Sequence, residues 1–380
     1  MERNFYCPRK ECENHLAPPE NKEWYRPFSH YMTKIRGVQP RYQCKKCRKT
    51  FSPMTFSIDY YVKRRISYRT LLNQQISASG INDMARQMKC TTETVQNRIR
   101  RFSHQIQGSM ALYLHNHKIR EDLSADGLES FVESQFFPTN INILVGSKSQ
   151  FIYFFDSYYF KRKGRMTEEQ KEKKNILYKK ACFEEKSPSK SFNGIIDQMD
   201  KIWDRNIKKT LLFDTDENPV YQSVMKKHKA FQEAIESETF MHRLTNSREE
   251  RNRKNKLFPC NYCDRMVRKD LAEHVRETVQ FARDQNCSME RFSLYTFWLN
   301  FIKPYRIKPT SKNKPKTHGE AAKITKEIRK DILRVVWKGD RITFEMAYNV
   351  LTPYNRKLWK NRLITPTGKL NRALPNFMLV

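Results

Sequence analysis

The sequence predicts a multidomain chain of α+β and α/β character: a metal-stapled amino-terminal module, a three-helix unit, a mixed-sheet core and a basic carboxy-terminal tail. Three observations carry that prediction. Two cysteine pairs bracket the amino-terminal region, apolar positions recur at helical spacing from Ile66 to Phe102, and beyond Leu123 strand-like runs pass into alternating helix and strand patterns. At 380 residues the chain can hold two or three domains with cores of their own. The shifts in pattern divide it into 1–62, 63–118, 119–305 and 306–380.

A formal net charge of +32, spread along the chain, implies a polyanionic partner, of which nucleic acid is the commonest. A basic structural protein, such as a ribosomal component, is the alternative. With 12% aromatic residues and several periodic apolar segments, a disordered polycation is excluded. The start MERNFYCPRK has no apolar signal region and no later run reaches bilayer-spanning length, so a cytoplasmic, nucleoid-associated location is expected. Nine cysteines in a reducing compartment suggest metal ligands before disulfides.

Cys7 and Cys12 form one knuckle (CPRKEC) and Cys44 and Cys47 a second (YQCKKCRKTFS), with Phe51 placed to pack beneath a metal. Four thiolates close a tetrahedral site for one structural Zn²⁺, which a small Lys/Arg-rich segment needs because its own core is thin. The first knuckle is the looser, with four residues between its cysteines, and His15 or His30 could replace a ligand.

Helices are expected around Tyr68–Ile76, over INDMARQMK, and from Thr91, which caps TETVQNRIRRF. Val95, Ile99 and Phe102 would face inward and leave Thr92, Gln96, Asn97, Arg100 and Arg101 outward, as a helix-turn-helix presents its recognition helix to a major groove. A helical connection through Met110 to Ile119 leads into three runs, LSADGLESFV, NINILVGS and FIYFFDSYYF, that read as an antiparallel meander. Thr167 and Gln170 fit a capping box, SPSK at Ser187 a loop, and SFNGIIDQMDKIW a helix covering a sheet. A strand TLLFDTD, a helix VYQSVMKKHKAFQEAI, a strand TFMHRL and a helix from Asp264 with the inner stripe Val267, Leu271, Val275 and Val279 complete the core. Arg265, Lys269 and Arg276 project elsewhere from that helix. A strongly apolar helix, MERFSLYTFWLNF, follows. Six basic residues without an acid from Lys303 to Lys316 read as a DNA-contacting or disordered linker, and Ile324, Ile328, Ile332 and Val335 as one helix face in the tail.

Asp126 is a lone carboxylate inside a strand pattern, where Asp is disfavoured, and a metal ion is the reason proposed for it. Asp214 and Asp216 end another strand, and Asp264 is expected in the first turn of its helix, where the dipole stabilises a carboxylate. Three acids from distant segments would then meet at one site. Cys260 and Cys263, a CxxC with no second pair, read as packing residues, and His242 as a satisfied partner or a phosphate contact rather than a catalytic base.

This succession resembles the bacterial insertion-sequence transposases of the ribonuclease H-like, three-acid (DDE/D) kind, up to about Ile307. The carrying segments are YQCKKCRKTFS, the helix-turn-helix, SADGLESF, KGRMTEEQK, FDTDENPVY and, most specific, DRMVRKDLAEHVRETVQFAR. The resemblance implies a ribonuclease H-like core, with Asp126 as first acid and Asp216, a few residues before Tyr221, as second. Asp264 would be the third, with Arg268 as accompanying base, though many relatives carry Glu there. Asp214 is the alternate to Asp216, and Glu250 to Asp264. It further implies two Mg²⁺ (or Mn²⁺) ions about 3.5 to 4 Å apart, bound by Asp126, Asp216 and Asp264. DNA would be contacted by Thr92, Gln96, Asn97, Arg100, Arg101, Arg265 and Lys269. The partners would be the element's terminal inverted repeats and target DNA, and bringing two ends together implies a homodimer or larger. The alternatives are a non-enzymatic DNA-binding regulator with a degenerate catalytic domain, and a nuclease of the same fold.

Overall fold

The computed structural model describes residues 5–206, 209–246, 248–275, 278–306, 315–363 and 365–368. A three-stranded antiparallel sheet, β1 (Tyr25–Thr33), β2 (Gly37–Cys44) and β3 (Thr50–Phe51), carries the second cysteine knuckle. Its core is small and aromatic: Trp24 stacks on Phe51 with ring centroids 5.3 Å apart, and Phe5 on Phe56 at the same separation. So little apolar surface needs a covalent or metal staple.

Three helices follow, α1 (Tyr68–Gln75), α2 (Ile81–Gln87) and α3 (Thr92–Leu114). Thr91 caps α3 by accepting from the Thr94 N–H, and Val95, Ile99 and Phe102 are fully buried, as their spacing requires. The helix continues unbroken to Leu114 and absorbs the first half of the expected connection.

The central sheet has the order β6-β5-β4-β7-β8, from β4 (Leu123–Val132), β5 (Ser134–Gly146), β6 (Ile152–Tyr159), β7 (Leu211–Asp216) and β8 (Phe240–Thr245). Short turns make β4, β5 and β6 an antiparallel meander. Helical crossovers bring β7 back parallel to β4, and β8 parallel to β7. The first crossover contains α4 (Glu168–Tyr178), opened by the Thr167–Gln170 capping box, and α5 (Ser187–Ile202). SPSK is therefore not a loop: it is the first turn of α5, where Pro188 lacks only an N–H that would have no intrahelical partner. The second crossover is split at His228 into α6 (Pro219–Lys227) and α7 (Lys229–Glu236).

Helices cover both faces of this sheet. On one, Phe192 of α5 stacks over Phe213, and Ser191 bonds Asn142 at 3.0 Å. Toward the other lie α8 (Phe258–Asp270) and α9 (Gln285–Phe301): Ser130 meets His274 just beyond α8 at 2.8 Å, and Phe155 packs edge-on against Phe292 of α9.

α9 is enclosed on nearly every side, with Phe292, Leu294, Tyr295, Phe297 and Leu299 fully buried, which explains its apolar composition. Glu290 and Arg291 are buried with them, so each needs a partner. Glu290 receives Arg100 Nε at 2.8 Å and Gln96 Nε2 at 3.0 Å, while Arg291 Nε donates to Glu273 at 2.6 Å. Removing one side of such a pair strands a buried charge. Arg100→Ala should therefore cost roughly 3–5 kcal/mol in denaturant unfolding, whereas Arg100→Leu combined with Glu290→Leu should recover most of it. Equal losses in the single and double variants would count against this account.

A helical tail was expected beyond 306, and its described residues from 315 onward form α10 (His318–Ala321), α11 (Lys326–Lys338), α12 (Phe344–Ala347) and α13 (Pro353–Trp359), packed back on the rest. Ile332 and Val336 share a core with Phe102 and Phe297, and Trp359 stacks on His104 at 4.4 Å. Of the expected basic linker, residues 307–314 lie outside the described residues.

Candidate functional site

Asp126 sits on the central strand and Asp216 at the end of its parallel neighbour. The parallel ladder between these strands ends at the pair Ser124 and Asp214, so each acid lies two residues past its end on the same parity. Side chains alternate, and this parity is also that of Ser130, whose hydroxyl meets His274 on the α8 side. Gly127 next to Asp126 permits a close approach: a Cβ there would lie 2.3 Å from Asn140 Nδ2.

Asp264 is carried by α8, but not in its first turn as expected. The helix begins at Phe258 with Pro259 in its first turn, so Asp264 stands in the middle, where the dipole gives little. The expected inner stripe ends early for a related reason. α8 stops at Asp270, leaving Val267 and Leu271 buried but Val275 and Val279 exposed; Arg276 lies outside the described residues.

Electrostatics link the three acids through Asp126. Burial, and then the charge of Asp216, push the Asp126 carboxyl up to about 7, against a 2.7 Å bond from the Gly127 N–H. Burial, and then the charge of Asp126, push Asp264 up to about 8, with Arg268 and Arg251 opposing. Asp216 is raised mainly by burial, while the Asn218 N–H donates to it at 3.1 Å. Asp264 Oδ1 is buried without a hydrogen-bond partner, an exception for a native polar atom. The acids are nevertheless more open than a closed metal cage. Among the described residues, only the four amino-terminal cysteines bring three or more candidate ligand atoms within 4.8 Å of one another.

Of the alternate acids, Asp214 is engaged within the protein and Glu250 lies exposed. Asp214 accepts a two-pronged guanidinium fork from Arg243, at 2.8 Å on each oxygen. Glu250 is exposed in the segment after β8, where it accepts the Asn252 amide at 2.9 Å. His242 is satisfied by Thr215 Oγ1 at 2.8 Å, with its pKa lowered to about 4 by burial. Cys260 and Cys263 are fully buried in the core.

Arg268 spans α8 and β4, donating to the carbonyls of His274 at 3.2 Å and Glu129 at 3.1 Å. Arg265 and Lys269 are exposed, the latter paired with Asp270. Two features were not found from the sequence. Arg251 acts on both Asp126 and Asp264, and its signal was the run RNRKNK. Behind the acids, Tyr221 OH and Asn140 Nδ2 converge on Asn142 Oδ1 at 3.0 and 3.1 Å, tying α6 to β5.

The outward face expected on α3 is largely occupied. Arg100 is buried on Glu290 with Gln96 beside it, and Arg101 donates to the carbonyls of Ile58 and Tyr60. Thr92 is exposed and Asn97 half-buried. Periodicity identified one buried stripe, but α9 covers a second side of α3, and only the charge on Glu290 could have hinted at it.

In the amino-terminal module, Cys7, Cys12, Cys44 and Cys47 converge, with Cys7 Sγ 3.3 Å from Cys47 Sγ and Cys12 Sγ 3.8 Å from Cys44 Sγ. Burial opposes the Cys44 thiolate, yet the Cys47 and Lys46 N–H groups and the Asn14 amide bring its thiol down to about 7. Such a donor set fits one tetrahedral Zn²⁺. His15 is not needed as a ligand: its Nδ1 lies 2.6 Å from the Cys7 carbonyl and its Nε2 3.0 Å from Glu345. His30 is exposed on β1.

Among the described residues, no helix is long and apolar enough to cross a membrane. No protein-family model matches the chain, and no curated protein matches it.

Proposed function

We propose that the chain is a DNA strand-transfer enzyme resembling the three-acid, ribonuclease H-like insertion-sequence transposases. The observation that carries this reading is the Asp126 hub. A half-buried carboxylate on the middle strand is coupled to Asp216 on the adjacent parallel strand and to Asp264 on a covering helix. Perturbed acids concentrated in this way are a mark of functional sites. The strand order, a meander followed by two parallel strands, agrees with the proposed fold.

An all-oxygen donor set suits hard cations, and the partnerless Asp264 Oδ1 is an available ligand atom. Asp126, Asp216 and Asp264 would hold Mg²⁺ or Mn²⁺, whose Lewis acidity would stabilise both the attacking and the leaving oxygen at phosphorus. The side chains contribute the rest. Arg251 and Arg268 limit repulsion among the acids, Arg268 joins α8 to β4, and the Tyr221–Asn142 bond fixes the start of α6. In the first step water attacks the phosphodiester and the 3′-oxygen leaves, freeing a hydroxyl. In the second that hydroxyl attacks a target phosphodiester, whose own 3′-oxygen departs. No protein nucleophile is needed. The Zn²⁺ assigned to the cysteines would be structural.

Incubating a labelled element end with Mg²⁺ and a plasmid separates the readings. A joined product supports strand transfer. Nicking alone would indicate a nuclease of this fold, and binding alone a regulator with a degenerate catalytic domain.

A further inference from the structure

The cations expected to meet DNA on α3 are mostly engaged within the protein, but a second set gathers elsewhere on the surface. Between α1 and α11 runs a groove of about 590 Å³ whose lining holds Arg69, Arg329, Lys330, Arg334 and Lys338 and no acidic residue. Its floor is apolar, from the end of α9 and one side of α11. We infer that this groove is a second, sequence-independent contact for the phosphate backbone of duplex DNA.

The local geometry favours a polyanion. Lys330, Arg334 and Lys338 are exposed and recur every fourth residue, so they form a stripe about 12 Å long on one side of α11. Over that length duplex DNA presents roughly seven charges. Arg69 faces the stripe from α1, its guanidinium stacked over the Trp337 ring at 4.2 Å. Trp337 is itself held between Phe102 and Phe297, with centroids 5.5 and 6.0 Å away, so Arg69 is positioned before any ligand arrives. Arg329 donates one guanidinium nitrogen to the Phe301 carbonyl at 3.1 Å and lies 3.7 Å from the Glu320 carboxylate, while its Nε is buried without an acceptor. Arg334 pairs with Asp331 at 2.8 Å, an exposed bridge of the weak kind that a phosphate can displace.

Charge complementarity selects the occupant. The chain carries +32, and among the described residues the lining holds five cations and no acid, with Glu320 and Asp331 beside it as partners of Arg329 and Arg334. Flexible Lys and Arg heads over an apolar floor make point contacts with phosphate rather than a reading of base edges. The groove therefore adds affinity without sequence preference. It rests on DNA being the partner, as proposed above, but not on the chemistry at Asp126.

Fluorescence anisotropy of the full chain on a labelled duplex of arbitrary sequence, across a salt series, tests this. Arg69→Ala/Lys330→Ala/Lys338→Ala should weaken binding similarly for all sequences and make the log–log salt slope shallower by about 2.7, roughly 0.9 for each phosphate no longer neutralised. Lys330→Ala/Lys338→Ala leaves the Arg69–Trp337 stack intact and should change the slope by about 1.8, which guards against a folding defect in the triple variant. An unchanged slope in the folded double variant would overturn the inference. So would loss of heparin or RNA binding with duplex binding intact, which would assign the groove to another polyanion. A failed joining assay with a groove effect would sink only the strand-transfer reading, and a wild-type chain that binds no duplex would sink both.

Discussion

Asp126→Asn is expected to reduce joining of a labelled end to plasmid by about a thousandfold or more, and also to stabilise the metal-free protein. The second effect follows from linkage. The folded carboxyl is raised to about 7, well above the ordinary Asp value of about 3.9 that it regains on unfolding. Between those values the native state holds a proton that the unfolded chain has released, so stability falls as pH rises from about 4 to about 7 and stays reduced above that. The neutral Asn amide cannot incur this cost. At pH 8 the gain should be roughly 1–3 kcal/mol, discounted for solvent reaching a half-buried site, and near zero at pH 4. Asp264→Asn should act in the same direction, its penalty developing up to about pH 8. Denaturant unfolding in buffer free of Mg²⁺ and Mn²⁺ measures this. A variant destabilised at both pH values would remove the argument for a repulsive acid cluster. Added Mn²⁺ should raise the melting temperature of the wild type at pH 8 more than that of either variant, since a cation bound only by the native state offsets the repulsion. An equal response would mean that the acids do not hold the ion.

Cys44→Ser should release the amino-terminal module from its fold. Structural zinc sites contribute on the order of 10 kcal/mol or more of folding free energy in small domains, and here the aromatic cluster around Phe51 offers little to replace it. The expected results are one equivalent of zinc per chain in the wild type, its loss in the variant, and rapid proteolysis up to about Phe56 while the central sheet stays resistant. Cys287→Ser, outside the cluster, should retain the zinc. A wild-type protein purified with no bound metal, or a Cys44→Ser protein with unchanged protease resistance, would contradict this assignment. Because the His15–Glu345 bond ties the module to α12, its loss should also expose the carboxy-terminal helices to faster hydrogen exchange.

The four-thiol cluster was legible because thiol spacing is local: two knuckles name the cysteines directly, and the structure leaves His15 and His30 out of the cluster. The meander was legible for a similar reason, since short polar turns between apolar runs allow little besides antiparallel pairing. Asp126 stood out as a charge where strand chemistry disfavours one. The position of Asp264 was misread because helix onset depended on Phe258 and Pro259, residues that carry no strong cap signal. Asp214 and Asp216 could not be separated along the strand, as both share one parity. Arg243, arriving from β8 to claim Asp214, separates them.

By itself the sequence determined what is written within a few residues: the four-thiol set, the helix caps at Thr91 and Thr167, the order of strands, and an excess of positive charge. Only the tertiary structure decided which of those charges remain exposed. Burying α9 forced Glu290 to find Arg100, residues 190 positions apart. The folding back of α11 beside α1 brought Arg69 opposite Lys330. Partners so distant leave no local pattern, because a buried charge constrains what must meet it in space and not where along the chain that group lies.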